Sequence, residues 1–209
     1  MNQELKPWPP SLTRRVAVGL MYPTEIATPF HRDGWVYEEK ADGYRMAAVK
    51  VDNCLGLISR HGTHYTHRFP ELVAAVGALD AETFILDGEL VMVDSVPPAR
   101  VERSTNEGAS QPVYIAFDVL ELGERDLRSE PLKARRLALE RLTAGQDRIL
   151  PARRLSSNGL SAWGQAIHGG CEGMVAKDQE SPYAPGRTLR WLNVKRADYR
   201  RETRSTLEN

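Results

Sequence analysis

The chain has 209 residues, with 28 basic and 28 acidic side chains balancing to no formal net charge. Charged residues make up 27 % and hydrophobic residues 41 %, the profile of a folded domain rather than a disordered or fibrous chain. The charge balance argues against a globally basic nucleic-acid binder, and two cysteines argue against a disulfide framework or a cysteine-rich metal site.

Residues 1–15 are proline-rich and basic and read as an extended arm. The segment around Trp8 has no apolar core of a signal peptide, and no apolar run nears membrane length. A reducing, cytoplasmic setting without membrane contact is therefore expected. Residues 16–196 read as one domain and 197–209 as a basic stub carrying Arg200, Arg201 and Arg204. Met46–Val51 and Leu55–Ser59 predict a strand pair turning at Asp52-Asn53. Leu72, Val73, Val76 and Leu79 recur at helical spacing over Pro70–Leu79, and Phe84–Val93 reads as a strand. Ser95–Gln111 is polar and loop-like, and Val113–Leu120 is another strand. Ser129-Glu130-Pro131 predicts a helix start with Ser129 as cap, running to about Leu142 with Gly145 beyond. Gly173–Lys177 and Leu189–Val194 are the last strands. The mixture predicts an α+β fold with antiparallel sheets rather than alternating βαβ units.

Polar clusters interrupt these elements in a definite order. Glu38-Glu39-Lys40-Ala41-Asp42-Gly43-Tyr44-Arg45 sets a lysine between carboxylates and a glycine that permits a tight turn. An amine so placed suits attack on an electron-poor phosphorus. In Leu86–Met92, alternation puts Asp87 and Glu89 on one face and Leu86, Leu90 and Met92 on the other. Paired carboxylates in an apolar strand need a cation, a metal or a ribose hydroxyl to satisfy them. Phe117 offers a ring for stacking on a purine, with Asp118 directed to the opposite face. Glu172 and Lys177 are five apart, so Glu172 must lie in the turn before the strand for both to reach one ligand. Trp191, Asn193 and Lys195 share a face. Each cluster taken singly has a plain structural explanation: a salt-bridged strand end, a core ring, a solvated lysine. His61, His64 and His67 are spaced three apart but lack acidic or cysteine partners, and are read as loop histidines rather than a metal site.

The ordered set resembles the nucleotidyltransferase domain of ATP-dependent DNA ligases, closest to the ligase module of bacterial end-joining enzymes. It spans roughly Pro29 to Lys195, supported by Ser59-Arg60-His61-Gly62, Arg68–Leu72 and the Ser181-Pro182-Tyr183 to Gly186-Arg187 run. The resemblance implies an ATP-grasp-like nucleotidyltransferase fold, with ATP and Mg²⁺ or Mn²⁺ as cofactors. It implies Lys40 as the nucleophile that takes AMP from ATP. Glu38 and its backbone would read adenine, and Phe117 would stack on it. Arg45 and Arg60 would contact ribose or phosphate. Glu89 would bind the ribose or support the metal, Glu172 would hold the divalent ion, and Lys177 and Lys195 would neutralise the α-phosphate. DNA with nicks or ends is the implied partner, in repair at the nucleoid. The pattern Trp-x-Lys-x-Lys is broken by Asn193, which removes one phosphate cation, with Arg187 or Arg190 as candidate substitutes. The chain stops fourteen residues after Lys195, so no OB-fold domain is expected within it. An OB-fold or another repair protein would then act in trans. An RNA ligase or capping-type nucleotidyltransferase, and a degenerate nucleotide- or DNA-end-binding module, stay open as alternatives.

Overall fold

The computed structural model describes residues 8–9, 12–13, 16, 19–51, 54–92, 111–197 and 199. The expected Asp52-Asn53 turn, residues 95–110 of the polar loop and nearly all of the basic stub lie outside them. Two sheets organise the rest. The first contains β1 (Met21–Ile26), β2 (Trp35–Glu39), β9 (Gly173–Asp178) and β10 (Gly186–Lys195), ordered β1-β10-β9-β2. The second is ordered β4-β3-β5-β6-β7, with β3 (Tyr44–Val51), β4 (Cys54–Ser59), β5 (Phe84–Met92), β6 (Pro112–Leu122) and β7 (Arg125–Asp126). A short β8 (Ile149–Pro151) lies parallel to β6, and β1 lies parallel to β10; the other pairings are antiparallel, as expected. Among the described residues, helices α1 (Pro70–Gly77), α2 (Leu132–Leu142) and α3 (Gly159–His168) flank the sheets.

The central strands read as continuous apolar runs because both their faces are covered. Met46 and Ala48 of β3 enter a core with Leu72, Val73 and Val76 of α1, Leu86 and Leu90 of β5, and Tyr114 of β6. Ala47 and Val49 point the other way, into a core shared with Ile85, Leu120, Tyr183 and Trp191. A third core packs Met174, Ala176, Leu192 and Val194 of the first sheet on Ala162 and Ala166 of α3. Each large apolar side chain so buried contributes about 1.5–3 kcal/mol.

Several expectations are corrected. The described part of residues 1–15 is not an extended arm: residues 12 and 13 are helical, and Leu12 is buried in the second core. The Trp8 ring packs where a side chain on Gly56 would stand, and its Nε1 donates to Thr13 Oγ1 at 2.7 Å. Ser129 does not cap α2; the helix begins after Pro131, and the carbonyls of Ser181 and Gln179 accept from its Leu132 and Lys133 amides. Phe117 and Asp118 do not face opposite ways. The β5–β6 register shifts between Asp87 and Gly88, and this bulge sets both on the inter-sheet side, while Ala116 and Val119 face the first core. Sequence periodicity missed α3, whose buried face is only Gly159, Ala162 and Ala166. Its signal was local: the Asn158 side chain accepts from the Leu160 and Ser161 amides, a clear N-cap.

Candidate active site

The two sheets open onto a cleft of about 700 Å³, and the nine residues to which the resemblance gives a catalytic, nucleotide or metal role all line it. The first sheet builds one wall in rows, because alternate residues of adjacent strands register side by side. Glu25, Asn193, Val175 and Glu38 form one such row across β1, β10, β9 and β2. Trp191 pairs with Lys177 in the row above, and Lys195 with Gly173 in the row below. The second sheet supplies Arg45 from β3, Glu89 from β5, and Ile115 and Phe117 from β6.

Lys40 leaves the end of β2 with its amide donating to the Gly173 carbonyl, and its Nζ lies 2.6 Å from Glu172 Oε2. Glu172 sits just ahead of β9, where the sequence argument required it. The glycines beside these two residues serve close approach rather than a turn. A Cβ on Gly43 would run into the Leu90 carbonyl, and one on Gly173 into the Val194 carbonyl; neither glycine has a positive φ. The freedom expected of Gly43 is therefore spent on letting β3 run against β5, which also brings its amide 3.2 Å from Glu89 Oε1. Burial pushes the Glu89 carboxyl up to about 7, against the opposing pull of Lys40 and Arg45.

Several predicted ligand-binding groups are already engaged within the protein. Both Glu38 oxygens are held, one by Arg136 at 2.5 Å and the other by Lys177 at 2.7 Å. Lys177 Nζ also lies 4.7 Å from the Phe117 ring centroid and 4.3 Å from that of Trp191. Burial lowers its ammonium below the usual lysine value, while Glu38 and Asp118 act in the opposite direction. Arg45 donates from Nε and Nη2 to Asp87 at 3.0 and 2.7 Å and to the Met21 carbonyl at 2.6 Å. Its guanidinium also lies over the rings of Tyr22 and Phe117. Burial disfavours its charge, but Asp87 prevails and holds it above the ordinary arginine value. Arg60 is exposed at the rim, its Nε 3.0 Å from His61 Nε2. Lys195 pairs with Glu25 at 2.8 Å.

The supporting residues were missed by sequence reasoning. Arg135 and Arg136 occupy the buried face of α2 together with Leu132 and Leu139, a helical i, i+3, i+4, i+7 set with two arginines in it. That was the available signal, because arginine turned inward needs a buried carboxylate. Arg135 makes a two-pronged contact with Asp118, both bonds 2.8 Å and both side chains fully buried, and Arg136 donates to Glu38 and the Ala152 carbonyl. Tyr183 donates to Asp87 at 2.6 Å and accepts from the Met21 amide. Of the two candidate substitutes for the missing lysine, Arg187 lines the cleft, whereas Arg190 pairs with Asp178 and is not among its lining residues.

Two polar atoms on this wall, Trp191 Nε1 and Asn193 Oδ1, are buried without a hydrogen-bond partner. Both residues line the cleft. Cations around an aromatic ring suit a nucleotide polyphosphate with its base. Among the described residues no cluster of three or more His, Cys, Asp or Glu gathers to hold a metal unaided. A single cleft carboxylate such as that of Glu172 would suffice for an ion of the Mg²⁺ kind, which takes one or two protein carboxylates and completes its shell with substrate phosphates. No helix among the described residues is long and apolar enough to cross a membrane.

Residues 17–195 match the family model described as the ATP dependent DNA ligase domain. The chain is 32 % identical over 181 residues to the SPbeta prophage-derived DNA ligase-like protein LigB of Bacillus subtilis, covering 83 % of this chain and 66 % of that protein. It is 34 % identical over 154 residues to the multifunctional non-homologous end joining DNA repair protein LigD of Mycobacterium tuberculosis, covering 73 % of this chain and 20 % of that one. The solved structure of mycobacterial DNA ligase D complexed with ATP and MES superposes with a TM-score of 0.70 at 28 % identity, covering 85 % of this chain and 60 % of that one. The chain thus spans two-thirds or less of the length of these relatives.

Proposed function

This chain belongs to the ATP-dependent DNA ligase domain family, and we propose that it is the adenylating unit of a DNA-joining activity. The observation that carries the reading is the Lys40 amine, 2.6 Å from a carboxylate, in a cleft that also holds an aromatic ring and several cations. In this reading Lys40 Nζ attacks the α-phosphorus of ATP in line. The Lys40 ammonium first loses a proton to solvent; a nitrogen–phosphorus bond then forms as the bond to pyrophosphate breaks, and the nitrogen sheds a second proton to solvent. The AMP then passes to a DNA 5′-phosphate, and a 3′-hydroxyl closes the strand by expelling AMP.

The residues divide this work by where they stand. Phe117 offers its cleft-side face to adenine, and Glu38, with both oxygens engaged, acts mainly by fixing Lys177 and its own strand edge beside the base. Glu89 is poised for a ribose hydroxyl. Arg45 locks Asp87 and braces Phe117, while Lys177, Lys195, Arg187 and Arg60 provide positive potential for phosphate. A divalent ion at Glu172 would neutralise the departing pyrophosphate and draw the carboxylate's charge away from the Lys40 amine. The rest of catalysis is positioning. DNA contacts beyond the cleft, an OB-fold or repair partner in trans, and action at the nucleoid belong to the same proposal.

Incubation with α-labelled ATP and Mg²⁺ tests it. Label should stay on the denatured wild-type protein and be absent from Lys40→Ala. An unlabelled wild type that still binds nucleotide would favour a binding module instead. Nick sealing compared on DNA and RNA substrates separates the DNA reading from the RNA-ligase one.

A further inference from the structure

Glu25 has no role in the assignments above, yet it stands among the cations of the phosphate end. It lines the cleft from β1, registers directly beside Asn193 on β10, and takes Lys195 at 2.8 Å. Lys195, Lys40 and Arg187 all act on its carboxyl electrostatically, holding it below the usual carboxylate range chiefly through the bond from Lys195. Its cross-strand neighbour Asn193 carries no charge and leaves its Oδ1 without a partner. At this corner of the wall, then, an acid faces a neutral amide, and the nearest cation is already neutralised.

We propose that Glu25 is a specificity-determining residue that occupies the place of a nucleotide phosphate and must release Lys195 before a triphosphate is held. The inference rests on the adenylation reading and deepens it. A triphosphate entering the cleft meets a fixed negative charge and has to compete for Lys195. The same carboxylate recaptures the lysine after pyrophosphate leaves, which weakens rebinding of that product. Glu25 therefore sets a lower affinity for polyphosphate than the cations alone would give, while leaving the base and ribose contacts untouched.

The pair is a surface one, with 41 % of the Lys195 and 59 % of the Glu25 side chain exposed, so its loss costs the fold little. Equilibrium binding of α,β-methylene-ATP, pyrophosphate and adenosine is compared among wild type, Glu25→Gln and a control, Glu180→Gln. The control removes another exposed pair, Lys133–Glu180. Glu25→Gln should bind both phosphate ligands roughly fivefold more tightly, adenosine equally, and the gain should fade in high salt. The control should match wild type throughout. Unchanged or weaker phosphate-ligand binding by Glu25→Gln, with adenosine bound normally, overturns this inference alone. A wild type that binds neither adenosine nor the triphosphate analogue overturns the adenylation reading and this one with it.

Discussion

Lys40 and Glu172, 132 residues apart in sequence, meet at 2.6 Å with only 18 and 16 % of their side chains exposed. The amine assigned as nucleophile and the carboxylate assigned to the divalent ion are thus one ion pair. Removing the charge of Glu172 should spare nucleotide binding and strike the chemistry. We expect Glu172→Gln to slow lysyl-AMP formation by about 100-fold, near 3 kcal/mol in the barrier. Binding of α,β-methylene-ATP should stay within a few-fold of wild type. Rapid-quench assays with α-labelled ATP over a Mg²⁺ titration measure the split; equal losses in both would refute it.

Phe117 is half-buried, T-shaped to Trp191 with centroids 6.1 Å apart, and lines the cleft. Base stacking on such a ring is worth about 1–3 kcal/mol by alanine substitution. Phe117→Ala should weaken adenosine binding by roughly 5- to 100-fold, and Phe117→Tyr should restore most of it. Pyrophosphate, which has no base, should bind Phe117→Ala as well as wild type, and a parallel loss would point to collapse of the wall instead.

The Asp118–Arg135 pair is fully buried, so deleting one partner strands the other charge away from water. Arg135→Met should cost about 3–5 kcal/mol in urea unfolding. Adding Asp118→Asn to that variant should recover a large part of the loss, since the stranded carboxylate is the source of the penalty. A double variant less stable than Arg135→Met would show that packing, not charge, sets the cost.

Glu89 makes stability depend on pH in a calculable direction. Its carboxyl titrates at about 7 when folded, against 4.5 as the ordinary value, because burial disfavours the charge. Between those values the unfolded chain has shed a proton that the folded chain keeps, so unfolding releases a proton and rising pH favours it. Stability from this group is full below about 4.5 and declines through 7, by up to about 3 kcal/mol in total. Glu89→Gln should lack this decline. Urea midpoints for both proteins at pH 5 and pH 8 give the comparison, and matching changes with pH would exclude the assignment.

Much of the site was legible because its chemistry is local. Lys40 with Gly43, the Asp87/Glu89 alternation, Glu172 ahead of a strand and the Trp191-to-Lys195 face each announce a residue type that an apolar element does not need. What was not legible depended on pairing across the fold. Phe117 and Asp118 share a side only because β6 bulges against β5, and a bulge alters parity without altering sequence spacing. α3 buries Gly159, Ala162 and Ala166 while Leu160 stays exposed, so the face it packs is not the one its larger apolar residues mark. Arg135 and Arg136 announced buried partners but not which ones.

The sequence by itself determined the residues that can attack, stack and neutralise, and the order in which strands present them, because side-chain alternation along a strand follows from backbone geometry alone. Only the tertiary structure decided which charges are free to meet a ligand. Glu38 is consumed by Arg136, 98 residues away, and by Lys177; Arg45 is consumed by Asp87, and Lys195 by Glu25. A buried or crowded charge takes whichever opposite charge the folded sheets bring within reach, and that distance is fixed by strand register rather than by position in the chain.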